Sequence, residues 1–270
     1  MYGLIQQSAQ YLRQQTDRHP KIGIILGSGL GRLADSIEQA QIIPYRDIPN
    51  FPVSTVTGHK GNLVFGLLGG KEVMVMQGRF HYYEGYSMKE VTFPVRVMKE
   101  LGVETLVVSN AAGCVNPKFA VGDIMLVSDH VNLFPENPLR GHNDERLGIR
   151  FPDMSEAYSQ RLRQLAKDIA RREGLLLREG IYLGWQGPSF ETPAEYRMVR
   201  ALGCDVVGMS TVPEVIVARH AQMEVLALSV ITNCASGDKI SQVTHEEVQT
   251  AADKAQKNMS RLVSEFIQAL

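Results

Sequence analysis

The sequence predicts an α/β fold: a single domain over residues 1–270, with a central mixed, largely parallel sheet flanked by helices. Three observations carry this expectation. Strand-like, β-branched runs alternate with amphipathic helical runs, the pattern of strands joined by helical crossovers. Five of the apolar runs end in a cluster of glycine and polar residues, as strands do where they give way to loops. No Ser/Gly-rich linker, repeat or low-complexity tract divides the 270 residues.

Taken in order, residues 1–18 read as an amphipathic helix, apolar at Leu4, Ile5, Ala9 and Leu12. Ile22–Leu26 reads as a strand before Gly27-Ser28-Gly29, with a helix expected to follow. Run 73–76 precedes Gly78-Arg79-Phe80-His81, and run 106–108 precedes Ser109-Asn110-Ala111-Ala112-Gly113. Run 206–207 leads into Gly208-Met209-Ser210, and run 225–231 into Thr232-Asn233. Helix starts are marked by Ser87, Thr192, Thr211 and Thr244, each followed three residues later by glutamate. In such a capping box the hydroxyl and carboxylate satisfy otherwise unpaired backbone N–H groups. Pro193 strengthens the second start, since proline suits the first helical position. The last helix carries a stripe of Val248, Ala252, Ala255, Met259, Leu262 and Phe266, which reads as core or subunit packing.

Composition narrows the class. Apolar residues make up 44% and charged residues 21%, ordinary for a globular chain. A net charge of −1 leaves no basic excess to neutralise nucleic-acid phosphates. No apolar run approaches the roughly 20 residues of a membrane helix. Gln7, Gln10, Arg13 and Gln14 do not fit a signal peptide. Cys114, Cys204 and Cys234 lack CxxC spacing and read as reduced thiols in the cytoplasm. Cys204 fits a core position; Cys234, next to Asn233, is either core or close to a ligand. The seven histidines show no HExxH or HxH spacing, so no metal is implied. His19 and His142 read as surface residues, and His130 and His220 as structural ones.

Open α/β sheets bind ligands beyond the carboxyl ends of their strands, so the polar clusters are expected to share one site. The glycines at 27, 29 and 31 are spaced G-x-G-x-G, one residue short of a dinucleotide fingerprint. The segment is either a simple tight turn or a phosphate cradle, with Ser28 donating and Gly29 allowing close backbone approach. Residues 78–86 place Arg79, His81 and Tyr83 on one loop. Arginine suits a bidentate phosphate contact, histidine can share the anion or exchange a proton, and tyrosine can cover a sugar. In residues 186–192, Phe190 can stack on a planar base and Glu191 can accept from its N–H groups. Asn233 both donates and accepts, as a purine edge requires.

The segments ILGSGLG (25–31), GRFHYYEGY (78–86), SNAAG (109–113), GPSFET (187–192), VVGMSTVPEVIVARH (206–220) and ITN (231–233) resemble, in order and spacing, the trimeric, low-molecular-weight purine nucleoside phosphorylases. Nearly the whole chain takes part. The resemblance implies a phosphate site of Ser28, Arg79, His81, the Ala111 N–H and Ser210, with His59 nearby. It implies a ribose site of Tyr83, Met209 and His245, and a base site of Phe190, Glu191 and Asn233. Catalysis would fall to Asn233, Glu191 and His81. Phe151 resembles a phenylalanine lent to the neighbouring subunit, so the working unit would be a homotrimer. Cys234 to Lys239 departs from the animal members and looks more like bacterial ones.

The implied activity is reversible phosphorolysis of 6-oxopurine ribonucleosides or deoxyribonucleosides such as inosine and guanosine, in purine salvage. Inorganic phosphate is the co-substrate, and no cofactor, nucleic acid or membrane partner is implied. The alternatives are a 5′-methylthioadenosine phosphorylase, a nucleoside hydrolase or a non-catalytic nucleoside sensor. His245 argues against the first, and the dense set of phosphate-type residues against the other two.

Overall fold

A computed structural model of the chain describes residues 1–28, 30–56, 58–235 and 244–270. Among these residues nine strands form one mixed sheet: β1 Ile22–Leu26, β2 Glu38–Pro44, β3 Asn62–Leu68, β4 Lys71–Gln77, β5 Thr105–Cys114, β6 Ile124–Asn132, β7 Leu177–Gly184, β8 Val206–Gly208 and β9 Glu224–Cys234. The helices are α1 Tyr2–Gln15, α2 Met88–Val91, α3 Phe93–Glu100, α4 Gln160–Arg172, α5 Pro193–Ala201, α6 Val212–His220 and α7 His245–Ala269.

All five expected strands are present, and the sheet is mixed with helices on its faces. Its order is β2-β3-β4-β1-β5-β8-β7-β6-β9, with β9 also pairing with β5. Five pairings are parallel and four antiparallel. β5 causes the branching. Its first half runs parallel to β1, its last two residues pair antiparallel with β8, and its whole length lies beside β9. Strands β5, β8, β7, β6 and β9 therefore close on themselves, which no local pattern announces.

The apolar runs are continuous because helices cover both faces of the sheet. Ile25, Met74, Leu106, Val108 and Val225 face one core with Ile5 and Leu12 of α1, Val97 of α3 and Val215 of α6. Their neighbours Ile24, Val75, Val107 and Leu226 face the other, with Leu162 and Ile169 of α4 and Met259 and Phe266 of α7. The α7 stripe is thus core. Cys204 is core too, packed with Tyr196, Val199 and Val207.

Three of the four capping boxes form, at Ser87, Thr192 and Thr244. The fourth does not. Thr211 makes no side-chain cap, because Glu214 is drawn to a buried cation and Thr211 adopts φ +72° and ψ −56°. The Val212 N–H closes a γ-turn on the Ser210 carbonyl at 2.8 Å, a strained form for a β-branched residue. The helix expected after β1 is a short 3-10 helix, Gly31–Ser36. Leu33 and Ala34 anchor it in the second core before the chain turns into β2.

Where β1 ends, the backbones of β1 and β5 nearly touch. A Cβ on Gly27 would lie 2.7 Å from the Ser109 carbonyl oxygen and 2.8 Å from the Asn110 Cα. Backbone cannot yield as a side chain can, so Gly27→Ala should destabilise by about 1–3 kcal/mol. Denaturant unfolding checks this, and an unchanged midpoint would show that the strand ends spread freely.

Candidate functional site

A cleft of about 480 Å³ opens at the carboxyl ends of β1, β4, β5, β8 and β9, within the usual range for small-molecule sites. Ten of the expected site residues line it: Ser28, Arg79, His81, Tyr83, Ala111, Phe190, Glu191, Met209, Ser210 and Asn233.

Arg79 is the buried anchor, 2% exposed. It follows β4 through Gly78, which takes φ +108° and where a Cβ would press on the His59 side chain at 2.7 Å. Its Nε donates to Glu214 Oε1 at 2.9 Å, and both side chains are almost fully enclosed. Nη1 donates to the Ser109 carbonyl at 2.7 Å and to Ser210 Oγ at 3.3 Å. Nη2 is buried and finds no hydrogen-bond partner among the described residues. Glu214 sits in the first turn of α6, whose N-terminus adds free N–H groups and a partial positive charge. Thr211 is held by Asn110, whose Nδ2 donates to its hydroxyl at 2.9 Å.

Two histidines stack beside the arginine, ring centroids 5.3 Å apart. His59 Nδ1 lies 3.2 Å from both the Arg79 N–H and the Arg79 carbonyl oxygen, which hold the ring in place through the backbone of the arginine. Its Nε2 lies 3.3 Å from Ser28 Oγ, and the tautomer of the ring sets which of the two donates. Burial, then the neighbouring His81, pushes the His59 pKa down to about 4. His59 thus stands behind Ser28 and His81, outside the cleft lining.

His81 Nδ1 lies 2.9 Å from Glu84 Oε1, so Nδ1 carries a proton and Nε2 is the free nitrogen. Burial lowers the His81 pKa, and the Glu84 hydrogen bond opposes that. Burial alone would raise Glu84, but hydrogen bonds from His81 and Thr55 hold its pKa at about 2. Tyr83 stacks on His81 at 4.6 Å and 16°, presenting a flat wall to the cleft.

At the other end, Glu191 precedes the Thr192 cap of α5 and is 9% exposed. It accepts from Trp185 Nε1 at 3.1 Å and from the Tyr196 hydroxyl. Burial raises its pKa, and those two bonds, with one from its own backbone N–H, oppose that. Asn233 donates through Nδ2 to the Tyr196 oxygen at 3.1 Å, while Thr232 Oγ1 donates to Asn233 Oδ1 at 3.1 Å. Phe190 is 41% exposed at the rim.

Of the other expected residues, His59 and Phe151 do not line the cleft. His245 opens α7, and its side chain lies outside the described residues, as do Gly29 and residues 236–243. Phe151 is 84% exposed and lies away from this cleft. Cys234 neighbours Cys114 across the β5–β9 pairing, and all three cysteines are free. His130 bonds the Tyr158 hydroxyl and His220 bonds Arg96, both structural contacts; His19 and His142 are exposed.

Sequence reasoning missed Glu84, Glu214, Trp185 and Tyr196. Glu84 carried a signal, its three-residue spacing from His81. Glu214 carried a misleading one, its capping-box position. Trp185 and Tyr196 carried none, since they meet Glu191 only through the fold. Among the described residues no cluster has the make-up of a metal site, and no helix is long and apolar enough to cross a membrane.

The sequence model of the phosphorylase superfamily matches residues 21–268. The chain is 62% identical over 263 residues to purine nucleoside phosphorylase 1 of Geobacillus stearothermophilus, covering 97% of this chain and 96% of that protein. Its fold matches purine nucleoside phosphorylase isoform 2 of Schistosoma mansoni, solved with cytosine and ribose-1-phosphate, with a TM-score of 0.95. Identity there is 45%, with 100% and 97% of the two chains covered. A Schistosoma mansoni purine nucleoside phosphorylase solved with inosine matches with a TM-score of 0.94 at 44% identity, covering 99% and 96%. The chain belongs to the purine nucleoside phosphorylase family within the phosphorylase superfamily.

Breaking a buried ion pair leaves an uncompensated charge. Glu214→Ala should therefore lower unfolding free energy by roughly 3–5 kcal/mol in denaturant titration. A loss below about 1 kcal/mol would mean that Arg79 does not depend on Glu214.

Proposed function

We propose that the cleft holds inorganic phosphate at its Arg79 end and a 6-oxopurine nucleoside across the rest, for reversible phosphorolysis of the N-glycosidic bond. One observation carries this reading. A buried, unpartnered guanidinium N–H at a helix N-terminus shares a cleft with a glutamate and asparagine pair suited to a purine edge.

Ser28, Arg79, His81, the Ala111 N–H and Ser210 hold the phosphate, with His59 orienting Ser28. His81 offers Nε2 to the phosphate hydroxyl, and Glu84 stabilises the imidazolium formed when that proton is taken. A phosphate oxygen attacks C1′ with inversion as the bond to N9 breaks. The bonding pair passes to the purine, and ribose 1-phosphate forms. The phosphate dianion beneath the sugar stabilises its oxocarbenium character. Asn233, at N7 and O6, stabilises the negative charge that grows on the base, and Glu191 accepts from N1–H. These contacts gain strength mainly in the transition state, which is what accelerates the step. Tyr83, Met209 and His245 hold the ribose, and Phe190 covers the base.

The reading extends to a cytoplasmic homotrimer. Its support is Phe151, a large ring held out to solvent beside the exposed Ile149, in keeping with a residue lent to a neighbouring site.

Adenosine has no N1–H to offer Glu191, so kcat/KM should favour inosine over adenosine. Hypoxanthine release from inosine should need inorganic phosphate and yield ribose 1-phosphate. Release without phosphate would make the enzyme a hydrolase, and parity between the two nucleosides would remove the 6-oxo preference. Asn233→Ala should lower kcat roughly 100- to 1,000-fold, by analogy with loss of an oxyanion-hole donor. Wild-type kcat in that variant would refute the role of Asn233.

A further inference from the structure

We propose that Tyr196 is a positioning residue of the base site, its hydroxyl joining Asn233 to Glu191 so that the two base contacts act as one unit. The proposal rests on the reading of this cleft as a 6-oxopurine nucleoside site.

Tyr196 lies in the first turn of α5, beyond the Thr192 cap. Its ring is 3% exposed and packed with Leu183, Val199 and Val207, so the hydroxyl is delivered from a rigid mount. A phenol has one proton to donate. Asn233 Nδ2 donates to the Tyr196 oxygen at 3.1 Å, so the phenolic proton goes to the Glu191 carboxylate. Thr232 Oγ1 donates to the other end of the amide at 3.1 Å. Gly113 packs close by: a Cβ there would lie 3.1 Å from Asn233 Nδ2 and 3.4 Å from the Tyr196 oxygen. The amide is thereby fixed in orientation, with one N–H and one lone pair left for the purine.

The same hydroxyl acts on Glu191. Glu191 is buried, and burial favours its neutral form. Three donors oppose that, the Tyr196 hydroxyl first, then the backbone N–H of Glu191 itself and the Trp185 indole at 3.1 Å. The Glu195 carboxylate on the same helix works against them. An ionised Glu191 accepts N1–H of a 6-oxopurine and repels the N1 lone pair of adenine. Tyr196 therefore holds the asparagine in place and keeps the glutamate in its discriminating state.

The test is Tyr196→Phe in the intact enzyme, with Glu191→Gln alongside. Removing a hydrogen bond to a charged group costs about 1.5–3 kcal/mol, so inosine kcat/KM should fall roughly 10- to 150-fold. The fall should lie mainly in kcat, with the phosphate KM unchanged. The acid limb of kcat/KM should move to higher pH, because Glu191 loses a donor that favours its charged form. Phosphate titrates identically in both enzymes, so the displacement reports the protein. The ratio of inosine to adenosine kcat/KM should narrow. Loss of melting temperature with an unmoved acid limb and an unmoved ratio would overturn the proposal, since a merely structural tyrosine would do just that. Wild-type kinetics in Tyr196→Phe with an impaired Glu191→Gln would sink the Tyr196 proposal alone. Wild-type inosine kinetics in Glu191→Gln would instead sink the base-site reading beneath it.

Discussion

A charged guanidinium in a protein interior persists only when it is paired and hydrogen-bonded. Arg79 meets that condition by recruiting three separate parts of the chain: Glu214 from α6, the Ser109 carbonyl from β5 and the Ser210 hydroxyl from the turn after β8. The sheet order β4-β1-β5 puts a strand between Arg79 and Ser109, and Gly27 at the end of that strand leaves the gap. A Cβ on Gly27 would lie 3.2 Å from Arg79 Nη1. The strained Thr211 turn belongs to the same arrangement, since it delivers Ser210 and Glu214 together.

The two ends of the cleft carry opposite chemistry. At one end a cation has a spare N–H, with hydroxyls and neutral imidazoles around it. At the other a carboxylate accepts from a phenol and an indole, and an amide donates to the same phenol oxygen and accepts from a threonine hydroxyl. In the proposed reading, a nucleoside lying between them has its anionic partner near its sugar and its hydrogen-bond donors near the glutamate. Both ends use the same device. A polar group is tied to several partners with hydrogen-bonding positions left over, as in Arg79 Nη2, His81 Nε2 and the Asn233 amide. Such groups need no rearrangement when a ligand arrives, and preorganisation of this kind is what electrostatic catalysis requires.

Much of this was legible in the sequence because it is local. Apolar runs ending in glycine marked the strand ends, and hydroxyl-to-glutamate spacing marked three of the four expected caps. The side chains that line the cleft sit mostly on those punctuated segments, so their types and order could be read directly. The rule failed at Thr211, where the carboxylate that would complete a cap has a stronger attraction to a buried cation 135 residues away.

The sequence by itself determined the alternation of strands and helices, their two-faced burial, and the residues that crown the strand ends. It could do so because backbone propensity and hydrophobic period act over a few residues. Only the tertiary structure decided the closure of β5, β8, β7, β6 and β9, the pairing of Arg79 with Glu214, and the bridge from Asn233 through Tyr196 to Glu191. Those depend on side chains far apart in the chain meeting in a low-dielectric interior, where hydrogen bonds and charges outweigh local preference.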